Sequence, residues 1–393
     1  MTVHKKSILL LIVAGTIITG CCNSIFTKVQ DLECVENCGD PEHEKKFEQP
    51  VLQTLQMFIG EMLCWIPLLI RQFTRPGGFS DRGDTVPLLT DAARPYNNGK
   101  KQINGFRDSL ILSIPSTCDL LATTLLNVGL LYTPVSIYQM SRGSIILFVG
   151  LFSVVFLKRN ITRIEWASLF VVVFGVFLVG LSGSLDSNNV QKDKFTSGEV
   201  LFGMSIILLG VMFSATQFVV EEHILSRLEV KPMKLVGFEG TYGALVSILV
   251  MLVGHLAVGS TAAGKGGPFD AVNAFQQMFS NNVVLFTSLL IMLSISSFNF
   301  FGISLTAQLS ATARSTIDTT RTLLVWLVSL CIGWESFKWL QLVGFALLVF
   351  GTLVFNGVVM LDQAKWVPSW FHADQRKRDE LLINAVDEQV ERF

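Results

Sequence analysis

The chain has 393 residues, half of them apolar and only 16% charged, against about 25% charged in a typical soluble domain, which excludes an ordinary cytosolic globule. Its 30 Lys+Arg and 31 Asp+Glu nearly cancel, which excludes the basic footprint of a nucleic-acid binder. Thirty Phe beside four Tyr suit a chain solvated by lipid.

A span of the hydrocarbon core takes about 20 apolar residues, and backbone in lipid must satisfy its own hydrogen bonds, so such runs are predicted helices. Ten follow in order: 7–28, 51–72, 109–132, 135–157, 164–184, 198–220, 233–258, 283–306, 311–333 and 339–361. The first follows Lys5 and Lys6, as a signal peptide would. Its run from Ser7 to Ile25 exceeds a usual h-region and no Ala-x-Ala-like site follows, so it is read as a retained helix. Basic residues in the connections resist translocation. With the N-terminus cytosolic, twenty fall on cytosolic segments, seven of them between Arg71 and Arg107, and six on the other side. Both termini are therefore expected in the cytosol, with loops 29–49 and 259–282 luminal. The expected units are a first five-helix half, 1–187, carrying the cytosolic loop 74–108, a second half, 188–361, and a cytosolic tail, 362–393.

The loops hold several short motifs. Cys34 and Cys38 share the acidic loop 29–49, and a disulfide or two free thiols are equally open there. Cys21, Cys22, Cys64, Cys118 and Cys331 lie in spans as small packing residues. Asp84 with Leu88 and Leu89 forms an acidic dileucine pattern of the kind read by sorting adaptors. Asn160-Ile161-Thr162 matches a glycosylation sequon on the cytosolic side, where it stays unmodified. Residues 259–265 nearly spell a phosphate-binding loop, but Gly266 replaces the required Ser or Thr, and the segment is read as a flexible loop. Trp366, Trp370 and Phe371 lead into a tail with the pattern of an interfacial amphipathic helix. No motif for zinc, a nucleophile or a cofactor survives, so no enzymatic activity is expected.

The two halves share a pattern. Gln139-Met140-Ser141-Arg142 leads to Val173-Phe174-Gly175, and Asp318-Thr319-Thr320-Arg321 leads to Val349-Phe350-Gly351. Five spans per half make the second copy enter from the opposite side, an inverted repeat of the transporter type. At 1.5 Å per residue Arg142 lies about 12 Å deep, Arg321 about 16 Å, and Glu61 and Asp119 roughly 15 Å. Charges at that depth face a wet cavity or one another. Asp318 shares a helical stripe with Arg314 and Arg321 and is expected to pair with one of them, while Glu61 and Asp119 are candidate partners of Arg142. Gly237-Phe238-Glu239-Gly240-Thr241-Tyr242-Gly243 reads either as a locally unwound substrate-binding segment or as close helix packing.

At these residues the chain resembles the drug/metabolite transporter superfamily, and within it solute carrier family 35, subfamily F. The resemblance covers residues 5–361 and is carried by Gln56-Met57-Phe58-Ile59-Gly60-Glu61, Gln139 to Gly143, Gly150 to Val154, Phe298-Asn299-Phe300-Phe301-Gly302-Ile303-Ser304, Leu309 to Thr312, and Asp318 with Arg321-Thr322. It implies an all-α membrane protein of ten transmembrane helices in two inverted five-helix repeats, a central site, and a lysosomal or vacuolar membrane, with the Golgi as the alternative. The Gly-Ala-Leu-Asn-Lys type of signature of Golgi nucleotide-sugar carriers has no counterpart in the ninth span. The expected function is secondary transport of a small anionic or zwitterionic organic solute by alternating access. A multi-span scaffold or regulator without transport is the alternative. Expected solute contacts are Arg142, Arg321, Gln139, Glu239, Tyr242 and Asn299, and expected coupling or gating groups are Glu61, Asp119 and Asp318, with Glu239 a further coupling candidate. The partners implied are the solute, membrane lipid and sorting adaptors, with a homodimer left open.

Overall fold

The computed structural model describes residues 3–38, 44–47, 49–74, 101–102, 109–133, 135–157, 162–185, 197–261, 264–334, 337 and 339–355. The dileucine motif at Asp84, Leu88 and Leu89, the junction between the two expected halves, and the tail 362–393 lie outside them. Thirteen α-helices account for nearly all of the described chain: α1 (Val3–Leu32), α2 (Pro50–Met62), α3 (Trp65–Thr74), α4 (Ser113–Leu131), α5 (Val135–Arg142), α6 (Ile145–Leu157), α7 (Arg163–Leu185), α8 (Ser197–Arg227), α9 (Pro232–Gly254), α10 (Ala271–Ser280), α11 (Asn282–Gln308), α12 (Ala311–Ile332) and α13 (Trp339–Phe355). Among the described residues eight helical stretches are long and apolar enough to cross a membrane, and α13 is a shorter apolar helix. Phe170, Phe177, Leu245 and Leu293 are each more than half exposed on the outside of the bundle, while Gln30, Glu221 and Arg314 are buried inside it. That inverted distribution belongs to an all-α, multi-pass membrane protein.

Two expected spans are broken, each for a local reason. The second divides into α2 and α3 because Pro67 has no N–H to offer the Leu63 carbonyl; the Ile66 amide bonds it instead, at 3.0 Å. The fourth divides at Gly143-Ser144, whose amides reach back only three residues, to Met140 and Ser141. The sixth apolar run stops at 220, yet α8 continues to Arg227, since no Pro or Gly intervenes between Gly210 and Pro232. Thr162, the last residue of the sequon, is the N-cap of α7: its amide bonds Glu165 Oε2 at 2.6 Å and its hydroxyl accepts from the Glu165 amide at 3.3 Å.

The segment 237–243 does not unwind. It lies within the regular helix α9, and its glycines admit α2 and the start of α3 instead. A Cβ on Gly240 would stand 2.6 Å from the Met62 amide nitrogen, and one on Gly237 2.7 Å from the Trp65 ring. Close approach by small residues recurs between α7 and α13. A Cβ on Gly175 would lie 2.7 Å from the Gly344 carbonyl oxygen, and one on Gly351 2.8 Å from the Ser168 carbonyl oxygen. The contact is reciprocal, since Gly344 precedes Gly351 by the same two turns of helix by which Ser168 precedes Gly175. The other large helix contacts pair α1 with α11, α4 with α8, and α2 with α9.

At one end of the bundle, called the α10 end, β1 (Cys34–Glu36) and β2 (Lys45–Lys46) form an antiparallel hairpin, and Cys34 and Cys38 are disulfide-bonded. The loop 259–282 is not wholly irregular: it opens with a π-helical turn, His255–Gly259, and includes α10. At the opposite end, β3 (Lys101–Gln102) pairs in parallel with β4 (Leu228–Glu229).

Gly175→Ala and Gly344→Ala are each expected to destabilise the detergent-solubilised protein by roughly 1–3 kcal/mol, the usual cost of overpacking, whereas Gly198→Ala, with nothing within 4 Å of its Cβ, leaves the thermal midpoint unchanged. Equal midpoints for all three would show that the α7–α13 contact is not made at backbone distance.

Candidate functional site

Two groups of charges lie inside the bundle. The first joins α5, α12, α1 and α11. Arg321 Nη2 lies 2.8 Å from Asp318 Oδ1 in an ion pair, both side chains being buried. The Arg321 guanidinium stands over the Phe298 ring at 4.8 Å, and its backbone carbonyl receives the Cys21 thiol at 3.8 Å. Arg142, the last residue of α5 before the break, is partly buried and lies over its own helix's Tyr138 ring at 5.6 Å. It senses Asp318 and Asp119 electrostatically, and Arg321 senses Arg142. Among the described residues no carboxylate forms an ion pair with Arg142. The pairing expected within the α12 stripe is therefore Asp318 with Arg321, not with Arg314.

The second group lies nearer the β4 end. Arg314 Nη1 forms a short, fully buried ion pair with Glu221 Oε2, and its guanidinium sits 3.9 Å from the Phe218 ring centroid. Asn299 donates to Glu61 Oε1 at 2.6 Å, so Glu61 is not the partner of Arg142. The Ser116 hydroxyl donates to the Glu239 backbone carbonyl at 2.8 Å, leaving the Glu239 carboxyl oxygen Oε1 buried without a donor. Glu61 Oε2 and Glu221 Oε1 are likewise buried and unpartnered. Asp119, partly buried, senses Glu221, Arg314 and Arg142. Glu222, the neighbour of Glu221, accepts from the Ala311 amide at 2.8 Å, so its carboxylate rests on the positive N-terminus of α12.

The expected solute contacts thus separate. Arg142 and Arg321 come together with Asp318, while Glu239, Asn299, Glu61 and Asp119 assemble around the Arg314–Glu221 pair. Tyr242 is displaced from both, its hydroxyl lying 3.1 Å from Ser109 Oγ and its ring stacked with Phe238. The Gln139 side chain lies outside the described residues. Glu221 is the buried charge at this cluster that the sequence reading missed, because the apolar run ends one position before it. The signal was available: Glu221 and Gln217 are one turn apart on a helix that nothing interrupts before Pro232.

The α10 end is closed by uncharged and charged polar contacts. Glu36 accepts from Lys45 at 2.9 Å and from Gln277 at 3.1 Å, and Gln277 in turn accepts from Gln49 at 3.2 Å. Asn281 donates to Glu33 and to the Cys34 carbonyl. Deeper, Gln53 bonds both Gln30 and Asp31, and Gln30 bonds Ser288 at 2.8 Å. Lys45, then Gln277, hold the Glu36 carboxyl below the usual carboxylate range. The Gly266 amide does so first for Asp270, followed by the Asn273 amide and His255.

The nucleotide-sugar transporter family description matches residues 94–266, a segment that stops before the ninth expected span. The chain is similar to an uncharacterised protein of Schizosaccharomyces pombe, 35% identical over 347 residues, 88% of this chain and 97% of that protein. It is similar to solute carrier family 35 member F6 of Homo sapiens, 34% identical over 351 residues, 88% of this chain and 89% of that protein. A solved crystal structure, described only as that of a protein, shares the fold with a TM-score of 0.54 at 11% identity, covering 90% of this chain and 97% of that one.

Replacing Glu221 by Ala strands a buried guanidinium and is expected to cost about 3–5 kcal/mol of stability, with much of the loss recovered when Arg314 is also replaced by Met. A double variant no more stable than Glu221→Ala would refute the pairing. For the clamp at the α10 end the sign of the pH effect is fixed by the depressed carboxyls. The contribution is complete above the ordinary values of 4.5 for Glu36 and 3.8 for Asp270, and is lost as the pH falls below these through the lower folded values. Amide exchange in 270–281 should therefore stay protected from neutral to mildly acid solution and rise only below it; loss of protection already between neutral and mildly acid pH would contradict the assignment.

Proposed function

This chain belongs to solute carrier family 35, and from that premise we propose that it is a secondary transporter that moves a small anionic or zwitterionic organic solute by alternating access across an endolysosomal membrane. The observation that carries the reading is Arg142. It is an always-protonated side chain at mid-depth, placed at a helix break, with no carboxylate paired to it among the described residues and with Arg321 and its Asp318 partner opposite. A guanidinium kept in such a place at the cost of desolvation suits a bound carboxylate or phosphate, and the acidic Asp318 nearby suits a cationic group on the same solute. Helix ends created by interruption at the bilayer midplane are a recurring way for carriers to present such groups.

The inverted ten-helix repeat remains part of this proposal, and the reciprocal α7–α13 contact supports it. Two elements related by a two-fold axis contact each other through the same residues in both directions, as Gly175 with Gly344 and Gly351 with Ser168 do. The charge distribution of the loops, and the disulfide at the α10 end, support a cytosolic β4 end and a luminal α10 end. In this account the luminal polar clamp is closed, Glu61, Asp119 and Asp318 are coupling or gating groups, and the dileucine motif at Asp84, Leu88 and Leu89 directs sorting to the lysosome or vacuole. The purified chain in proteoliposomes, offered labelled dicarboxylates, inorganic phosphate, nucleoside monophosphates, neutral amino acids and organic amines, should take up an anionic or zwitterionic member. Arg142→Ala and Arg321→Ala should each lower that uptake by at least about tenfold, as expected for loss of a charge-assisted contact. Uptake of amines alone, or normal uptake by both variants, would overturn the solute class and the site; no uptake of any member would favour the scaffold.

A further inference from the structure

We propose that Glu239, backed by Glu61, holds a proton that the carrier moves together with its solute, so that a proton gradient drives transport. The inference rests on the carrier reading above and moves Glu239 from the solute site to a separate one. The charged groups that act on Glu239 electrostatically are Glu221 on α8, Glu61 on α2, Arg314 on α12 and Asp119 on α4. Four carboxyls thus share one guanidinium, and that guanidinium is committed to Glu221. The amide of Asn299 on α11 is spent on Glu61, and Ser116 serves the Glu239 backbone rather than its carboxyl.

Glu239 is only 3% exposed, its Oε1 has no donor, and among the described residues no cation pairs with it. An ionised carboxylate so placed would lose its hydration with nothing in return. Among the described residues no three acidic, histidine or cysteine side chains converge closely enough to ligate a metal ion. A proton is the counter-charge that fits. The Cβ and backbone of Glu61 stand against Gly240, the neighbour of Glu239, across a close α2–α9 contact, its Oε2 is unpartnered, and neighbouring buried carboxyls cannot both ionise cheaply. The contact is also placed to change. Glu61 is two residues from the α2–α3 break, and Glu239 lies seven residues, about 10 Å, from the β4 end of α9. Sliding of α2 along α9 would separate the two carboxyls and let one ionise. In that step only an O–H bond is exchanged: the proton arrives from water when the site faces one side and leaves to water when it faces the other.

The test needs no known solute. Infrared titration of the full chain in lipid nanodiscs, between about pH 5 and about pH 8, should reveal a buried carboxylic-acid carbonyl band. The band should vanish in Glu239→Gln, shift in Glu239→Asp and Glu61→Gln, and stay unchanged in the hairpin variant Glu36→Gln. A band that persists in Glu239→Gln, or no such band in the wild type, overturns the proposal, and the Asp variant keeps the experiment decisive if Gln fails to fold. For whichever of the labelled solutes above is taken up, one-to-one coupling accumulates it about tenfold per pH unit of imposed gradient. Uptake that ignores the gradient overturns coupling while the carrier stands. A titrating Glu239 band in a protein that takes up no solute upholds the proton site and overturns the carrier reading instead.

Discussion

Charge that lipid cannot solvate must be satisfied inside the bundle, and the arrangement of the helices follows from how that is done. Arg314, Arg321 and Arg142 meet the requirement in three different ways. Arg314 is sealed by Glu221 and by the face of Phe218, a fixed strut between α8 and α12. Arg321 is half-answered by Asp318 on its own helix and by Phe298. Arg142 is answered by no acid among the described residues. Moving away from the β4 end, the cations pass from an ion pair with an acid on another helix, through one with an acid on the same helix, to none among the described residues.

Small residues make this burial possible. Gly302 leaves room for Arg314, since a Cβ there would come within 2.9 Å of its Nε. Gly240 lets the backbone of α9 reach that of α2 beside Glu61, and Gly175 and Gly344 do the same between α7 and α13. In lipid there is little hydrophobic drive between helices, so close packing and buried polar contacts have to hold the bundle. Polar contacts are correspondingly dense where helices meet: Asn23 with Ser294, Gln30 with Ser288, and Thr319 with the Gly143 carbonyl. The last of these ties α12 to the break after Arg142, so the two arginines are placed by one joint.

The apolar runs of the sequence located the helices because lipid-facing length is a strong constraint, and Arg142, Arg321, Glu61 and Asp119 stood out because ionisable residues in such runs are rare. What the runs concealed was where helices continue or stop. Glu221 lies beyond the last apolar residue of its run yet inside its helix, since hydropathy reports the solvent and not the backbone. Pro67 and the Gly143-Ser144 pair end helices inside uninterrupted apolar runs, for reasons of hydrogen bonding that hydropathy does not see. The glycines around Glu239 carried two meanings in one dimension, and the approach of α2 chose packing over unwinding. Partner choice was also beyond one dimension: that Asn299 would take Glu61, and Glu221 would take Arg314, depends on contacts between segments far apart in the chain.

Alternating access to the Arg142–Arg321 site is the claim on which the account turns, and a native thiol reports on it. Cys21 lies against the Arg321 carbonyl on α1 and is partly buried. In a chain whose other free cysteines, Cys22, Cys64, Cys118 and Cys331, are replaced by Ser, modification of Cys21 by a membrane-impermeant thiol reagent should proceed from either face of sealed vesicles, and a transported solute should slow it from both. Protection of Cys21 from both faces until the protein is denatured would contradict the account.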